Sequence, residues 1–322
     1  MRYAYLQSGH QLEIYGSPEE ARDTYLTYEI IKEYNRLFDE AEKEVQNDPE
    51  LLRRVRIARL PITYAQIQIS RTEIDTPRSL FKHDENGKVV ANPEIITLVN
   101  QFVDKANELG ITELREGSIS PNDYLASYKR IFNKLNEMYD AISINKKITA
   151  ITNPSTRKVT RSIPEALSYN KGGIQMLTDG IFGSYEAWRD PRYDNWVGYE
   201  GEHMDFILDL GEVMTIKSIN MDFYNAKDIW YKVTLPKYVT YTTSLDGINY
   251  SNFVKVNNPV DPNKPYENIK ENKIYVQPYT AQLKNCKARY IKVHAESILR
   301  CPLWHLQAGD PAWIFCDEIV VK

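Results

Sequence analysis

Asp179, Ser184 and Glu318 are the residues best suited to gather hard oxygens around a cation. Asp179 offers a carboxylate, and Gly180 lets the backbone turn so that nearby carbonyls converge. Ser184 adds a hydroxyl, and Glu318 could close the cage from a strand near residue 319. Ca²⁺ takes about six to eight such ligands, so one ion would tie an early loop to a late strand. The alternative is plainer: Asp179 makes a local turn with its own backbone and Glu318 pairs with a neighbouring cation.

A second set combines rings with planar polar groups, as a saccharide site requires. Sugars present apolar C–H faces beside many hydroxyls, so they are held by an exposed aromatic plane and by Arg, Asp or Asn partners. Three loops supply both types: 183–203 with Trp188, Arg189 and Tyr199, 224–236 with Asp228 and Trp230, and 297–313 with Trp304 and His305. Tyr199, with Trp196 and Trp313, falls inside framework blocks and reads first as packing that shapes the loops. His305 reads either as a ligand to a sugar hydroxyl or as a hydrogen-bond partner of the loop backbone.

These residues sit among short alternating strands. Met204, Phe206 and Leu208 alternate with Asp205, Ile207 and Asp209 before a turn expected at Gly211. Ile219, Met221 and Phe223 alternate again. Val239, Tyr241 and Thr243 run into Asp246-Gly247, a hairpin signal. Further strands are expected at Ile274–Val276, Tyr290–Val293 and Ile314–Val321. About eight strands without a helical period imply an antiparallel two-sheet jelly roll over residues 173–322.

The first part of the chain has a different pattern. Ser17-Pro-Glu-Glu20 looks like a capping box opening a helix over 17–46, with Ile30, Tyr34, Leu37, Phe38, Ala41 and Val45 as its stripe. A second helix should start near Asp48-Pro49, with Pro61 kinking or breaking it. A third runs from Asn92-Pro93 to Gly110, and a fourth follows Ser120-Pro121. Residues 74–91 read as an irregular link or a small hairpin. The expected fold is thus multidomain α plus β: a helical bundle over 1–145, a polar connector over 146–172 and a β-sandwich over 173–322.

Composition excludes several classes. Residues 1–150 hold 20 Lys+Arg against 24 Asp+Glu, leaving 20 and 20 of the 40 and 44 for residues 151–322. Neither part is basic, so nucleic acid and anionic membranes find no electrostatic footprint. No apolar run reaches the length of about 18 residues that spans a bilayer. Cys286, Cys301 and Cys316 lack zinc-site spacing; they read as small buried hydrophobes, or as a Cys301–Cys316 disulfide and one free thiol. The paired carboxylates of the helical part fall at capping or solvent positions, so no catalytic set is expected in this chain.

Five blocks in order resemble the discoidin, or coagulation factor V/VIII C-type, domain. They are Leu177-Thr-Asp-Gly180 with Gly183-Ser184, Trp196-Val-Gly-Tyr199, Leu208-Asp-Leu-Gly211, Ala288-Arg-Tyr-Ile291 and Trp313-Ile-Phe-Cys-Asp-Glu-Ile319. The pattern is most similar to family 32 carbohydrate-binding modules of bacterial glycoside hydrolases, which implies a structural Ca²⁺ at Asp179, Ser184 and Glu318 and a carbohydrate partner. Tyr15-Gly-Ser-Pro18, Glu33–Glu42 and Arg54–Pro61 resemble the helical tail of glycoside-hydrolase-like proteins distantly related to α-glucuronidases. That resemblance implies a secreted, periplasmic or cell-surface parent whose catalytic barrel precedes this chain. Two other roles fit the residues: architecture packed on the helices, and adhesion through protein contacts.

Overall fold

The computed structural model describes residues 2–10, 18–114, 119–155, 173–183, 195–225, 232–260 and 275–322. They form two compact units, Met1–Asn133 and Lys134–Lys322.

In the first unit a short helix α1 (Arg2–Ser8) and a 3-10 turn at Pro18–Ala21 precede four longer helices. These are α2 (Tyr28–Glu44), α3 (Pro49–Ser70), α4 (Pro93–Glu108) and α5 (Pro121–Met138), the last crossing the boundary between units. Three starts lie where the sequence puts them. Asp48 Oδ1 accepts the amides of Glu50 and Leu51, Asn92 Oδ1 that of Glu94, and Ser120 Oγ that of Asp123. The first start is a correction. Helix α2 begins at Tyr28, where Thr27 Oγ1 accepts the Ile30 amide, and Pro18–Ala21 makes only one 3-10 turn. Of the two effects expected at Pro61, a kink or a break, the break does not occur, because α3 runs through it as one helix. Proline removes one ladder bond, and burial of Ile62, Ala65 and Ile69 against Ile31 and Tyr34 favours keeping the rest. Residues 74–91 contain the hairpin of β1 (Phe81–His83) and β2 (Val89–Ala91), with Asp84 Oδ1 accepting the amides of Asn86 and Lys88 across the turn.

The second unit is built on seven antiparallel strands: β3 (Lys147–Ala150), β4 (Val197–Glu200), β5 (Met204–Asn225), β6 (Tyr238–Ser244), β7 (Ser251–Asn257), β8 (Tyr275–Ala295) and β9 (Trp313–Val321). Their order is β4-β9-β5-β8-β6-β7, with β3 on β5. Strand β3 lies inside the stretch expected to be a connector; it pairs Lys147–Ala150 with Phe206–Asp209, and Ile148 is buried in the core.

The sequence also placed a turn at Gly211, and here too the structure differs. Asp209 Oδ1 accepts the Gly211 amide at 2.8 Å, Gly211 takes φ +88°, and β5 continues through a register shift between Asp209 and Met214. Only glycine enters this left-handed region without strain, so the feature is a bulge that bends one long strand. The early half of β5 pairs with β3 and the late half of β8, which joins β6; its late half pairs with β9 and the early half of β8. Each long strand therefore changes neighbours along its length, and all seven strands join in one sheet where two were expected. Leu208, Val239, Tyr241 and Ile291 meet Met221, Phe223, Tyr279 and Ile319 in one core. The Tyr241 hydroxyl donates to the Tyr279 carbonyl at 2.7 Å, satisfying a phenol that the core would otherwise strand.

Candidate ligand and cation sites

Asp179 follows the 3-10 helix Gly173–Thr178, and Glu318 lies within β9. The Gly180 amide donates to Glu318 Oε1 at 3.0 Å, and Asp179 Oδ1 accepts the Ile181 amide at 2.8 Å. Gly180 has φ +82°, a conformation that turns its N–H onto the glutamate. Glu318 is only 1% exposed, and its Oε2 has no hydrogen-bond donor. Burial, then the adjacent Asp179 charge, pushes the Glu318 carboxyl well above the ordinary carboxylate range. Burial likewise raises Asp179 to about 6. The partly buried Asp179 carboxyl and the buried Glu318 carboxyl face each other within side-chain hydrogen-bonding reach, with no ion pair to either among the described residues.

This arrangement tests both readings of the pair. The Asx turn at Asp179 is real, but the cation expected beside Glu318 in the plain reading is not present among the described residues. A buried carboxylate with an orphan oxygen suits a divalent ion, which would neutralise both groups and fill that oxygen. Ser184 lies outside the described residues. Among the described residues no group of three or more His, Cys, Asp or Glu side chains is arranged as a metal site, so backbone oxygens would have to complete any cage.

At the other candidate site, residues 296–312 form a twisted loop between β8 and β9. Cys301 N donates to Asp310 O at 2.8 Å, Gly309 N to Cys301 O at 2.9 Å, and Ala312 N to Leu299 O at 2.9 Å. The Arg300 guanidinium donates to Gly309 O at 2.7 Å. At the tip, Pro302 O accepts the His305 amide, and His305 Nδ1 accepts the Gln307 amide at 3.0 Å. His305 is 5% exposed, so its ring organises the tip and does not face solvent. Trp304 is half-buried and meets the His305 ring edge-on at 5.8 Å. Beside it Leu303 is 96% exposed and Leu306 56%. At the base of the loop Lys232 Nζ lies 3.5 Å from Asp310 and 3.7 Å from Glu200.

Among the described residues, Trp304 is thus the sugar-site candidate on a loop surface. Tyr199 is a correction: it is fully buried, its hydroxyl donates to Thr152 O at 3.2 Å, and its ring belongs to the core. A ring with no exposed face cannot stack on a ligand. Trp196 and Trp313 are packing residues, Trp313 stacking on Phe315 at 5.1 Å. Trp188, Arg189, Asp228 and Trp230 lie outside the described residues. All three cysteines are buried and free, so no Cys301–Cys316 disulfide pins the loop. The exposed Leu303 and Leu306, and the Glu200–Lys232–Asp310 charges, were missed in the sequence. The one available signal was the Leu-Trp-His-Leu run between Pro302 and Gly309, where turn residues forbid a strand.

No protein-family model and no curated protein matches the chain. Solved structures do. A fucose binding module of Streptococcus pneumoniae, SpX-3, is 13% identical, with a TM-score of 0.33, covering 57% of this chain and 97% of that one. A chitosan-binding module from a Paenibacillus sp. IK-5 chitosanase/glucanase is 15% identical, at 0.31, covering 56% and 98%. A Clostridium perfringens module in complex with GalNAc-beta-1,3-galactose is 18% identical, at 0.29, covering 55% and 94%. At these scores the likenesses carry no argument about ligand; helices plus a large antiparallel sheet are what the chain itself displays.

Proposed function

We propose that the β unit is a non-catalytic carbohydrate-binding module, and that its ligand meets the 296–312 loop at Trp304. The observation behind this reading is a half-exposed indole on a hydrogen-bonded loop, meeting the buried His305 ring edge-on and flanked in sequence by the exposed Leu303 and Leu306. A partly open aromatic on a loop surface can stack on the C–H face of a sugar. A shallow surface of this kind buries little of its ligand, so binding would be weak per site and would act by holding an attached enzyme near polysaccharide. In keeping with the sequence resemblance, the parent would be a secreted glycoside-hydrolase-like protein whose catalytic barrel lies upstream, and a structural Ca²⁺ would rest on Asp179 and Glu318.

Glycan-array screening of the whole chain, followed by calorimetry on the best hit, tests the reading. Binding abolished by Trp304→Ala with the thermal midpoint unchanged supports it. No glycan hit on a broad array, or full affinity in the variant, overturns it. A second reading, adhesion to protein, is favoured by the exposure of Leu303 and Leu306. It gains only if Leu303→Ser abolishes a protein contact while glycan binding is absent.

A further inference from the structure

The edge strands of a sheet carry outward N–H and C=O groups that pair with any strand able to reach them. Two edges of this sheet are covered by the chain itself. Beside β4 the Ser155 amide donates to Gly198 O at 3.0 Å, and Ser155 Oγ accepts the Glu200 amide at 2.8 Å. Beside β3 the Gln175 side-chain amide donates to Ile148 O at 3.0 Å, and Thr178 Oγ1 donates to Lys146 O at 3.0 Å. Strand β7 ends the sheet on the other side, and among the described residues it pairs with β6 alone.

The ladder fixes which groups of β7 face outward. The Asn258 amide donates inward to Lys237 O at 2.9 Å, whereas Tyr238 turns its carbonyl to β8 and accepts the Glu296 amide at 3.0 Å. Asn257 and Lys255 lie opposite Tyr238 and Thr240. Alternate residues of an antiparallel strand face the same neighbour, so Val254 and Val256 bond to β6 while Lys255 and Asn257 direct their peptide groups away from it. Phe253 continues the outward set. Just before it β7 takes one extra residue between Ser251 and Val254, at Asn252, where φ is +52° and the side-chain amide donates to Thr243 Oγ1 at 2.9 Å. The free run is therefore Phe253, Lys255 and Asn257, and all three side chains are exposed, Phe253 by 65%. It holds no proline, and the bulge lies only at its start. Its one cation lies across its own sheet, with Lys255 Nζ 3.6 Å from the centre of the Tyr238 ring on β6. The devices that usually blunt an edge are thus absent from most of the run.

We propose that β7 is a dimerisation edge, pairing antiparallel with β7 of a second copy about a two-fold axis at Val254. Outward residues must meet outward residues, and three registers join at least two of them. An axis at Val256 leaves Phe253 outside the pairing. An axis at Lys255 joins all three residues but sets two ammonium groups directly opposite each other, which is unfavourable. An axis at Val254 sets Phe253 opposite Lys255 of the second copy, a cation beside a ring, and symmetry makes that contact twice. The same axis brings the exposed Ile248 of one hairpin loop toward the exposed Val260 beyond the other strand's end. The pairing is closed, so it stops at two copies. A run this short buries less than the roughly 1,200 Å² of stable complexes, so the dimer is weak and concentration-dependent.

Sedimentation velocity of the whole chain from about 2 to about 200 µM tests it, and a shift from monomer to dimer is expected in that range. Amide exchange at the two ends of the range should show protection of Lys255 rising with concentration, while Val254 and Val256 stay protected throughout. Phe253→Lys opposes lysine to lysine twice and should weaken the dimer about tenfold or more, with the thermal midpoint unchanged because the position is exposed. Phe253→Glu opposes carboxylate to lysine and should hold or tighten it. A dimer that both substitutions leave alone, or weaken equally, overturns the pairing. So does a protein that stays monomeric. Slow Lys255 exchange in that monomer would mean that another stretch of this chain covers the edge, and fast exchange would leave it to an extended strand of a different protein. An empty glycan array does not alter association, so this proposal and the sugar reading fail separately.

Discussion

Glu318 takes the amide of Gly180 on one carboxylate oxygen at 3.0 Å, joining residues 138 positions apart, and leaves its other oxygen buried without a donor. The contact fastens the loop after the 3-10 helix to β9. It does so with a group that is costly to bury unless something fills the second oxygen.

If a divalent ion fills it, protein purified without chelator contains stoichiometric calcium by atomic spectroscopy. EDTA then lowers the thermal midpoint by about 3 °C or more, and Glu318→Gln starts lower and ignores EDTA. Equal EDTA responses in both proteins would sink the cation reading.

Tyr199→Phe separates packing from recognition. Losing the hydrogen bond to Thr152 O should cost about 1 kcal/mol of unfolding free energy in denaturant titrations and leave glycan affinity unchanged. A selective loss of affinity would return Tyr199 to the ligand site.

His305→Ala should act on the loop and not directly on the ligand. Removing the acceptor of the Gln307 amide loosens the tip, so affinity falls together with protease resistance of the loop. His305→Asn, which can still accept, should restore part of both. Lost affinity with unchanged protease resistance would make His305 a direct contact instead.

Gly211→Ala places a side chain at φ +88° in the bulge of β5 and should destabilise the unit by about 1–2 kcal/mol, read as a lower urea midpoint with unchanged slope. An unchanged midpoint would show that the bulge relaxes freely.

Asp209 provides the pH dependence. Its carboxyl is held below the ordinary range first by the Arg289 guanidinium, at 2.8 and 3.0 Å, with a further contribution from the Gly211 amide. A carboxyl lowered on folding stabilises the protein above its unfolded value, and the contribution disappears as pH falls through the folded one. The pair is partly exposed, so its effect is at most about 1 kcal/mol. Asp209→Asn should flatten the acid limb of the stability curve by that amount, and an identical limb in both proteins would refute the assignment.

Much of the scaffold was readable from local chemistry. Asp48, Asn92 and Ser120 cap helices because their side chains reach amides two or three residues ahead, which spacing reveals. Alternation at Met204, Phe206 and Leu208 reported a buried side correctly, because the period of a strand is local. What failed was decided at long range. Nothing near Gly211 distinguishes a turn from a bulge; pairing with residues 288–295, some eighty positions on, decides it. Pro61 looked like a break because the packing that favours a continuous α3 comes from α2. Tyr199 and Trp304 are both aromatics in polar surroundings, and only burial separates them.

The two long strands have a mechanical consequence. Met204–Asn225 and Tyr275–Ala295 are paired along most of their length, so parting them means breaking backbone bonds along the whole ribbon. A tug delivered at the loop tip would be shared by that ribbon instead of peeling one edge.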